Sequence, residues 1–313
     1  MSKKNEIPEV EIVVDHEAGV IREVKPEKTR SKKGHERRVN TSIYIVLTVM
    51  CIVWLAPFVF LVLQSFRSYL TENGGMVSYL VPKHFSLDNY KYLFSEGDFL
   101  KWYGNTLIIA VFTAVLQTII VLSVSYALSR MRFRGRKLIM NMILVLGMFP
   151  GFLTMICLYF LLKQLGLTQS GAIPGLILIY VASSGMGYYI SKGFFDTLPK
   201  SLDESARIDG ATRFQVFKKI IMPLSKPIVI YTILMAFMAP WGDFVFASYV
   251  AFGSSQNYNV AVGLQRWVWV NDYQGYFTRF CAGGVLVAVP ITALFMALQK
   301  YYVEGVTGGA VKG

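Results

Sequence analysis

The chain has very few residues of the types that hold metals or form disulfide bridges. Only 3 cysteines and 3 histidines occur among its 313 residues. Cys51, Cys157 and Cys281 lie in or at the edge of apolar segments, where a free cysteine packs as a small apolar side chain. The histidines are scattered through polar segments and form no cluster. We therefore expect neither a metal site nor a disulfide framework.

Motifs for nucleotide chemistry and catalysis are also missing. No G-x-x-x-x-G-K-[ST] phosphate loop occurs in the sequence. No alternation of strand and helix patterns could fold a nucleotide-binding domain. No Ser/His/Asp, Cys/His or paired-carboxylate arrangement stands out as a catalytic site. The sequence therefore predicts that the chain is not an enzyme by itself and carries no cofactor.

Charged residues are scarce, whereas long apolar runs are abundant. Charged residues make up 16% of the chain and hydrophobic residues 54%, and the mean hydropathy is +0.46. Six apolar segments are each about 20 residues or longer, which suffices to cross a bilayer core. They run over residues 43–63, 105–129, 138–162, 172–191, 228–250 and 281–299. The sequence therefore predicts an all-α polytopic membrane protein with six transmembrane helices, preceded by a charged tail (1–40) with little regular structure.

The basic residues are distributed unevenly along this topology. Most of the 31 Lys and Arg residues fall in the N-terminal tail, in the segment after the second span and in the loop at residues 192–226. Basic residues favour the cytoplasmic side of a membrane. We therefore expect both termini and this loop in the cytoplasm. The net charge of +12 follows from this topology and the lipid bilayer, so it gives no reason to expect nucleic acid as a partner.

The loop at residues 192–226 carries the signals of a helical hairpin. Ser201 and Glu204 have the S-x-x-E spacing of a capping box, which predicts a helix from Leu202. Gly210 can adopt the left-handed conformation that ends a helix. Thr212 and Gln215 form a second capping box, which predicts that another helix follows the turn.

The second predicted helix carries an apolar stripe. Phe214, Phe217 and Ile221 recur at three- and four-residue spacing, which places them on one helical face. Pro223 is expected to end the helix. Two short helices with an apolar stripe would make a compact surface on which a partner protein can dock.

This loop resembles the EAA loop of the membrane subunits of bacterial ABC importers, whose pattern is roughly E-A-A-x-x-x-G followed by I-x-L-P. The chain differs at Ser205 and Met222. In that family the loop forms coupling helices that sit in a groove of a separate ATPase, and ATP and magnesium bind there rather than on the permease. The resemblance implies that the following residues couple to the ATPase: Glu204, Ser205, Ala206, Asp209, Gly210, Phe214, Phe217, Ile221 and Pro223.

Three further segments resemble the MalG-type permeases of carbohydrate importers. They are Phe85–Tyr90, Trp241–Phe244 and the C-terminal segment from Gln299 to Gly313. With the loop, the resemblance covers residues 41–313 and implies the type I importer permease fold in the bacterial cytoplasmic membrane. It implies a homologous second permease, two copies of an ATPase and an extracytoplasmic solute-binding protein as partners. The tail at 300–313 would contact the ATPase through Gly308, Gly309 and Lys312.

Two outer regions supply further candidates. Asp243 lies inside an apolar span, about 25 Å across from Lys226 at 1.5 Å per residue, where an acidic residue is a functional candidate. Together with Trp241 it could form a gate or contact substrate, or Asp243 could cap a broken helix. The segment 251–280 is rich in aromatic residues, and we expect it to contact the binding protein. Its candidates are Asn257, Tyr258, Trp267 and Trp269.

Two other functions stay open at this point. The solute of such an importer could be a polyamine or an amino acid instead of a sugar, and the specificity of the binding protein would decide this. Alternatively, the chain could be a self-sufficient secondary carrier. The hairpin argues against a carrier, because a carrier has no use for a surface on which an ATPase docks.

Overall fold

The computed structural model describes residues 11–14, 21–24, 30–72, 74–77, 79–269 and 273–310 of the chain. In the first unit, residues 1–59, strands β1 (Glu11–Val14) and β2 (Ile21–Val24) pair antiparallel, with Val14 opposite Ile21. Our expectation of little regular structure in the tail is therefore wrong for these residues, whose β-branched side chains favour strands. The first helix also begins earlier than expected, at Arg30.

The rest of the described chain is helical or loop. The helices are α1 Arg30–Ser65, α2 Tyr69–Glu72, α3 Asp88–Ser95, α4 Phe99–Arg130, α5 Arg136–Gly147, α6 Gly151–Gln164, α7 Ala172–Ala182, α8 Gly185–Thr197, α9 Ser201–Ile208, α10 Arg213–Val216, α11 Met222–Leu224, α12 Lys226–Gly242, α13 Val245–Val250, α14 Val260–Trp269 and α15 Tyr273–Ala310. A π-helical turn at Phe217–Ile221 joins α10 to α11. Short 3-10 turns lie at Gln169–Gly171 and Ser255–Asn257.

Within the described residues, three continuous helical segments are long and apolar enough to cross a membrane. They are Val39–Ser65, Phe99–Arg130 and Tyr276–Lys300, and they match the first, second and sixth predicted spans. Three bent pairs bring the possible number to six: α5 with α6 at 104°, Gln169–Ala182 with α8 at 40°, and Arg213–Leu224 with α12 at 83°. Apart from the two short strands, the prediction of a helical polytopic membrane protein is confirmed, although the third, fourth and fifth predicted spans are broken helices rather than continuous ones.

The breaks occur where the backbone cannot continue as a helix. Pro150 precedes α6 and donates no backbone hydrogen bond, and a proline also disfavours the helical conformation of the residue before it. The fifth predicted span (228–250) stops at Gly242 and resumes at Val245.

Helix α4 is the centre of the second unit, residues 60–313, and packs against α7, α8, α12 and α14. Its buried residues Thr106, Ile109, Ala110 and Thr113 recur at helical spacing. Close packing there depends on glycine in α14: a Cβ on Gly263 would lie 2.0 Å from the Trp102 ring.

The buried apolar residues form two clusters at different ends of α4. The larger cluster surrounds Phe99, Trp102 and Ile109 and includes residues of α7, α13 and α14. The smaller cluster surrounds Leu122 and Tyr126 and includes residues from the segment 201–228. The hairpin of the sequence analysis is therefore packed against the last turns of α4.

Candidate functional site

The first helix of the hairpin, α9, begins without the predicted capping box. Lys200 occupies the position before the helix, in a helical conformation, and no side chain caps the helix. The turn has already started at Pro199, whose carbonyl accepts a hydrogen bond from the Leu202 N–H at 3.4 Å. Ser201 is therefore inside the helix rather than at its cap, and the capping box of Ser201 and Glu204 is wrong.

The turn between the two helices is as predicted. Gly210 has a φ of 84°, a conformation that costs a residue with a Cβ about 1–2 kcal/mol. The Ala211 N–H donates to the Ala206 carbonyl at 2.9 Å, and the Gly210 N–H donates to the Arg207 carbonyl at 3.1 Å. This is the Schellman pattern, which satisfies the last carbonyls of α9.

The second capping box is confirmed. The Gln215 N–H donates to Thr212 Oγ1 at 3.3 Å, and the Thr212 N–H donates to Gln215 Oε1 at 2.7 Å. The Gly210 turn and this box together fix the direction of the chain between α9 and α10. Such a hairpin is ordered by its own backbone and capping bonds.

The apolar stripe is divided between two surfaces, contrary to the prediction. Val216 and Ile221 are buried against α4, and the Phe217 ring lies 4.7 Å from the Tyr126 ring. Phe214, in contrast, is 68% exposed. The π-helical turn explains this, because its wider turn changes the angle between residues before and after it relative to an α-helix.

The exposed face of the hairpin combines apolar and charged groups. Ile208 is 86% exposed, a residue that the stripe argument missed, and it lies near the turn with Phe214 further along. Glu204, Ser205, Asp209, Gly210 and Pro223 are also exposed, whereas Ala206 is buried. Pro223 does not end the helix, which continues to Leu224 before the chain turns at Ser225.

An ion pair joins the hairpin to α4. Arg130 Nη1 lies 3.4 Å from Asp203 Oδ2, and the two side chains are only 6% and 17% exposed. Arg130 Nη2 also donates to the carbonyls of Phe195 and Leu198, at 2.8 and 2.7 Å. The Tyr126 hydroxyl donates to Asp203 Oδ1 at 3.3 Å. Sequence reasoning missed this pair, although an arginine at the end of an apolar span was a signal for it.

The break between α12 and α13 is built around Asp243. Its Oδ1 accepts a hydrogen bond from the Phe246 N–H at 3.0 Å, and its Oδ2 accepts one from the Tyr180 hydroxyl at 2.5 Å. Among the three roles left open for Asp243, the structure therefore supports the cap of a broken helix. Trp241 is buried, and its ring centroid lies 5.2 Å from that of Tyr103.

The aromatic candidates of the segment 251–280 lie mostly inside the protein. Tyr258 and Trp267 are buried in the larger cluster, so the expectation that they form a contact surface is wrong. Trp267 stacks on Phe99, with ring centroids 6.4 Å apart. Among residues 251–268 and 276–280, whose side chains are described, Phe252 is the exposed aromatic residue.

The remaining candidates give less structural information. Asn257 is part of a tight turn, and its Nδ2 donates to Ser254 Oγ at 2.8 Å. Trp269 is the last residue of α14, whereas Gly308 and Gly309 lie within α15. Only the backbone of these three residues is described. Lys312 lies outside the described residues.

Comparisons with known proteins show which protein family the chain belongs to. Residues 119–308 match the profile of the family described as "Binding-protein-dependent transport system inner membrane component". The chain is 36% identical over 275 residues to the galactooligosaccharides transport system permease protein GanQ of Bacillus subtilis (strain 168), covering 86% of this chain and 94% of that protein. It is 37% identical over 271 residues to the maltodextrin transport system permease protein MdxG of the same organism, covering 86% and 95%.

The fold is also similar to a solved structure. A chain of a bacterial ABC transporter involved in the import of the acidic polysaccharide alginate superposes with a TM-score of 0.73 at 23% identity, covering 89% of this chain and 100% of that one. The helical permease fold and the match to more than half of the sequence agree. The chain belongs to the family of binding-protein-dependent transport system inner membrane components.

Proposed function

We propose that the chain is the permease subunit of an ATP-driven importer of sugars, most specifically of oligosaccharides. The observation that carries this proposal is the similarity, over nearly the full length of both proteins, to permeases of galactooligosaccharide and maltodextrin transport systems. The maltodextrin transport system permease protein MalD of Streptococcus pneumoniae (strain ATCC BAA-255 / R6) adds a third, at 36% identity. The similar fold of a permease from alginate import fits the same substrate class.

In this proposal the hairpin couples the permease to a separate ATPase in the cytoplasm. The contact surface is the exposed face around Ile208 and Phe214, bordered by Glu204 and Asp209. ATP and magnesium belong to the two ATPase copies, since this chain has no phosphate loop. The C-terminal segment with Gly308, Gly309 and Lys312 reaches the same partner. Both termini then lie on the cytoplasmic side of a bacterial cytoplasmic membrane.

The contacts behind this face would transmit a movement of the hairpin to the membrane-spanning helices. A movement of α9 would reach α4 through the Arg130–Asp203 pair, and the partly buried Phe217 and the buried Ile221 contact the same end of α4. The chain then turns by 83° into α12. Helix α12 ends at the break at Asp243, where a change in its tilt would alter the outer side of the permease. A homologous second permease would complete the path between the two subunits.

Substitution of Phe214 by Asp tests the coupling surface. A carboxylate in the middle of an apolar contact is desolvated without a partner, so the variant should lose the ATPase from a complex purified in mild detergent. Phe252→Asp is a matched control, because Phe252 has a similar exposure, 65% against 68%, and lies in the outer turn after α13. Recovery of the ATPase with the Phe214 variant at the control level would contradict the coupling surface.

The solute is tested with the binding protein that co-purifies with the complex. Titration with maltodextrins and galactooligosaccharides should show binding, and titration with polyamines or amino acids should not. The opposite result would favour an importer for another solute. Purification of the chain without any ATPase, from cells whose other importers stay intact, would favour a self-sufficient carrier.

A further inference from the structure

A strongly basic cleft lies where α4 ends and the hairpin packs against it. Its volume is about 370 Å³, and it is lined by six basic and two acidic side chains. The basic side chains are Arg130, Arg132, Arg136, Lys200, Arg207 and Arg213. Positive charges that converge on one concave surface raise the local potential and attract anions. Asp203 and Glu204, the two acidic residues, leave most of this charge unbalanced.

Arg130, at the inner wall of the cleft, has unused hydrogen-bonding capacity. Its side chain is 6% exposed, and Nη2 is satisfied by two backbone carbonyls. Within the described residues, its Nε and Nη1 make no hydrogen bond, although Nη1 is 3.4 Å from Asp203 Oδ2. A buried donor without an acceptor is costly, so an anion that enters the cleft has guanidinium donors to bind.

A second cavity of about 390 Å³ adjoins the first and shares Arg132 and Arg136 with it. Its lining also includes Phe133 and Leu138, which are 42% and 60% exposed. Gly135, with a φ of 90°, precedes α5, and no side chain caps this helix of 12 residues. The free N–H groups at such a helix start favour a phosphate group.

The position of the two cavities identifies the source of the phosphate. Helix α4 is one of the continuous membrane-crossing helices, and Arg130 is its last residue. At about 1.5 Å per residue, the 32 residues of α4 are longer than the roughly 30 Å hydrocarbon core of a bilayer, so a membrane that α4 crosses would have lipid headgroups near Arg130. Exposed apolar side chains beside the basic ones, here Phe133 and Leu138, suit a ligand that has both a phosphate and an acyl chain.

We propose that the cleft between the Arg130–Lys137 segment and α9 binds the phosphate of an anionic phospholipid. The lipid would bridge the start of α5 and the hairpin and neutralise the charge around the Arg130–Asp203 pair. The site itself rests on the membrane-spanning fold. Only its location in the inner leaflet rests on the proposed function.

The test uses the purified full transporter complex in nanodiscs of phosphatidylcholine with increasing phosphatidylglycerol. Retained lipids are counted by native mass spectrometry. Arg132→Gln and Arg136→Gln should each weaken phosphatidylglycerol binding about fivefold, the effect of one basic residue near an anionic surface. Arg134→Gln is the matched control, because Arg134 is an exposed arginine of the same loop that lines neither cavity. Equal weakening by all three variants, or equal binding of phosphatidylcholine, would overturn the proposal.

Two further measurements distinguish a bound lipid from other ligands of the cleft. Millimolar inorganic phosphate should not displace the lipid; displacement that depends on Arg132 would mark the cleft as a site for free phosphate. Variants that keep the lipid and lose only the ATPase would mark it as a protein contact, which also overturns the proposal. If the lipid binds as expected but the chain has no ATPase partner, the lipid site is supported and the proposed function is contradicted.

Discussion

The Asn259 side chain binds the backbone at the end of α12, on either side of Gly242, at Pro240 and Asp243. Its Nδ2 donates to the backbone carbonyl of Asp243 at 2.7 Å and to that of Pro240 at 3.1 Å. Its Oδ1 accepts a bond from the Val262 N–H at 2.9 Å, which caps α14. One buried amide therefore joins the end of α12 to the start of α14.

Replacing Asn259 by Ala should destabilise the part of the protein where α12, α13 and α14 meet. The substitution leaves buried carbonyls of α12 and an N–H of α14 without partners, at about 1–3 kcal/mol for each unsatisfied group. The measurement is the thermal unfolding temperature of the purified chain in detergent. Asn257→Ala is the control, since Asn257 bonds only within its own turn through Ser254. Equal shifts in the two variants would show that Asn259 does not join the helices.

Asp243→Asn should leave assembly intact and alter the kinetics of sugar uptake. The amide keeps the shape of the side chain, but it removes the negative charge that strengthens the hydrogen bonds from the Phe246 N–H and the Tyr180 hydroxyl. Tyr180→Phe provides a comparison, because it removes the bond to Oδ2 and keeps the carboxylate. Unchanged uptake in both variants would limit Asp243 to a packing role.

Gly210→Pro should uncouple ATP hydrolysis from uptake. Proline fixes φ near −65°, whereas the turn requires 84°, so the two hairpin helices could not keep their angle. Gly210→Ala should cost about 1–2 kcal/mol at the same site. Gly193→Ala in α8 is the control, because a Cβ there meets no atom within 4 Å and alanine favours the helix. If uptake stays normally coupled to hydrolysis in the proline variant, the Gly210 turn is not needed for coupling.

Arg130→Gln and Asp203→Asn should each weaken the link between α4 and the hairpin, and their effects should not add. We expect a coupling energy of about 1–3 kcal/mol between the two positions, because they share one largely buried pair. Proteolytic cleavage within residues 201–224 measures the opening of the hairpin. Additive effects in the double variant would show that the pair does not hold the hairpin to α4.

The parts of the fold that depend on neighbouring residues could be predicted from the sequence. An apolar run such as 105–129 fixes a span by its length, and Gly210 fixes a turn because it lacks a Cβ. The box of Thr212 and Gln215 is equally local. These features need no knowledge of what packs against them.

The orientation of side chains could not be predicted in the same way. Ile221 and Phe217 fit an exposed stripe as well as a buried one, and their burial is decided by α4, a distant part of the sequence. The aromatic side chains of Tyr258 and Trp267 suit an interface and a core alike, because both environments favour large apolar rings. Asn259, directly before an apolar helix, was a local signal of a helix cap that the sequence analysis did not use.

The π-helical turn at Phe217–Ile221 has a consequence for how such permeases can vary. Removing one residue there, at Lys218 or Lys219, would convert the turn into an α-helix, because a turn that bonds residue i to i+5 holds one residue more than an α-helical turn. Phe214 and Ile221 would then keep nearly the same direction relative to each other. A hairpin one residue shorter at this point would therefore still expose the same face.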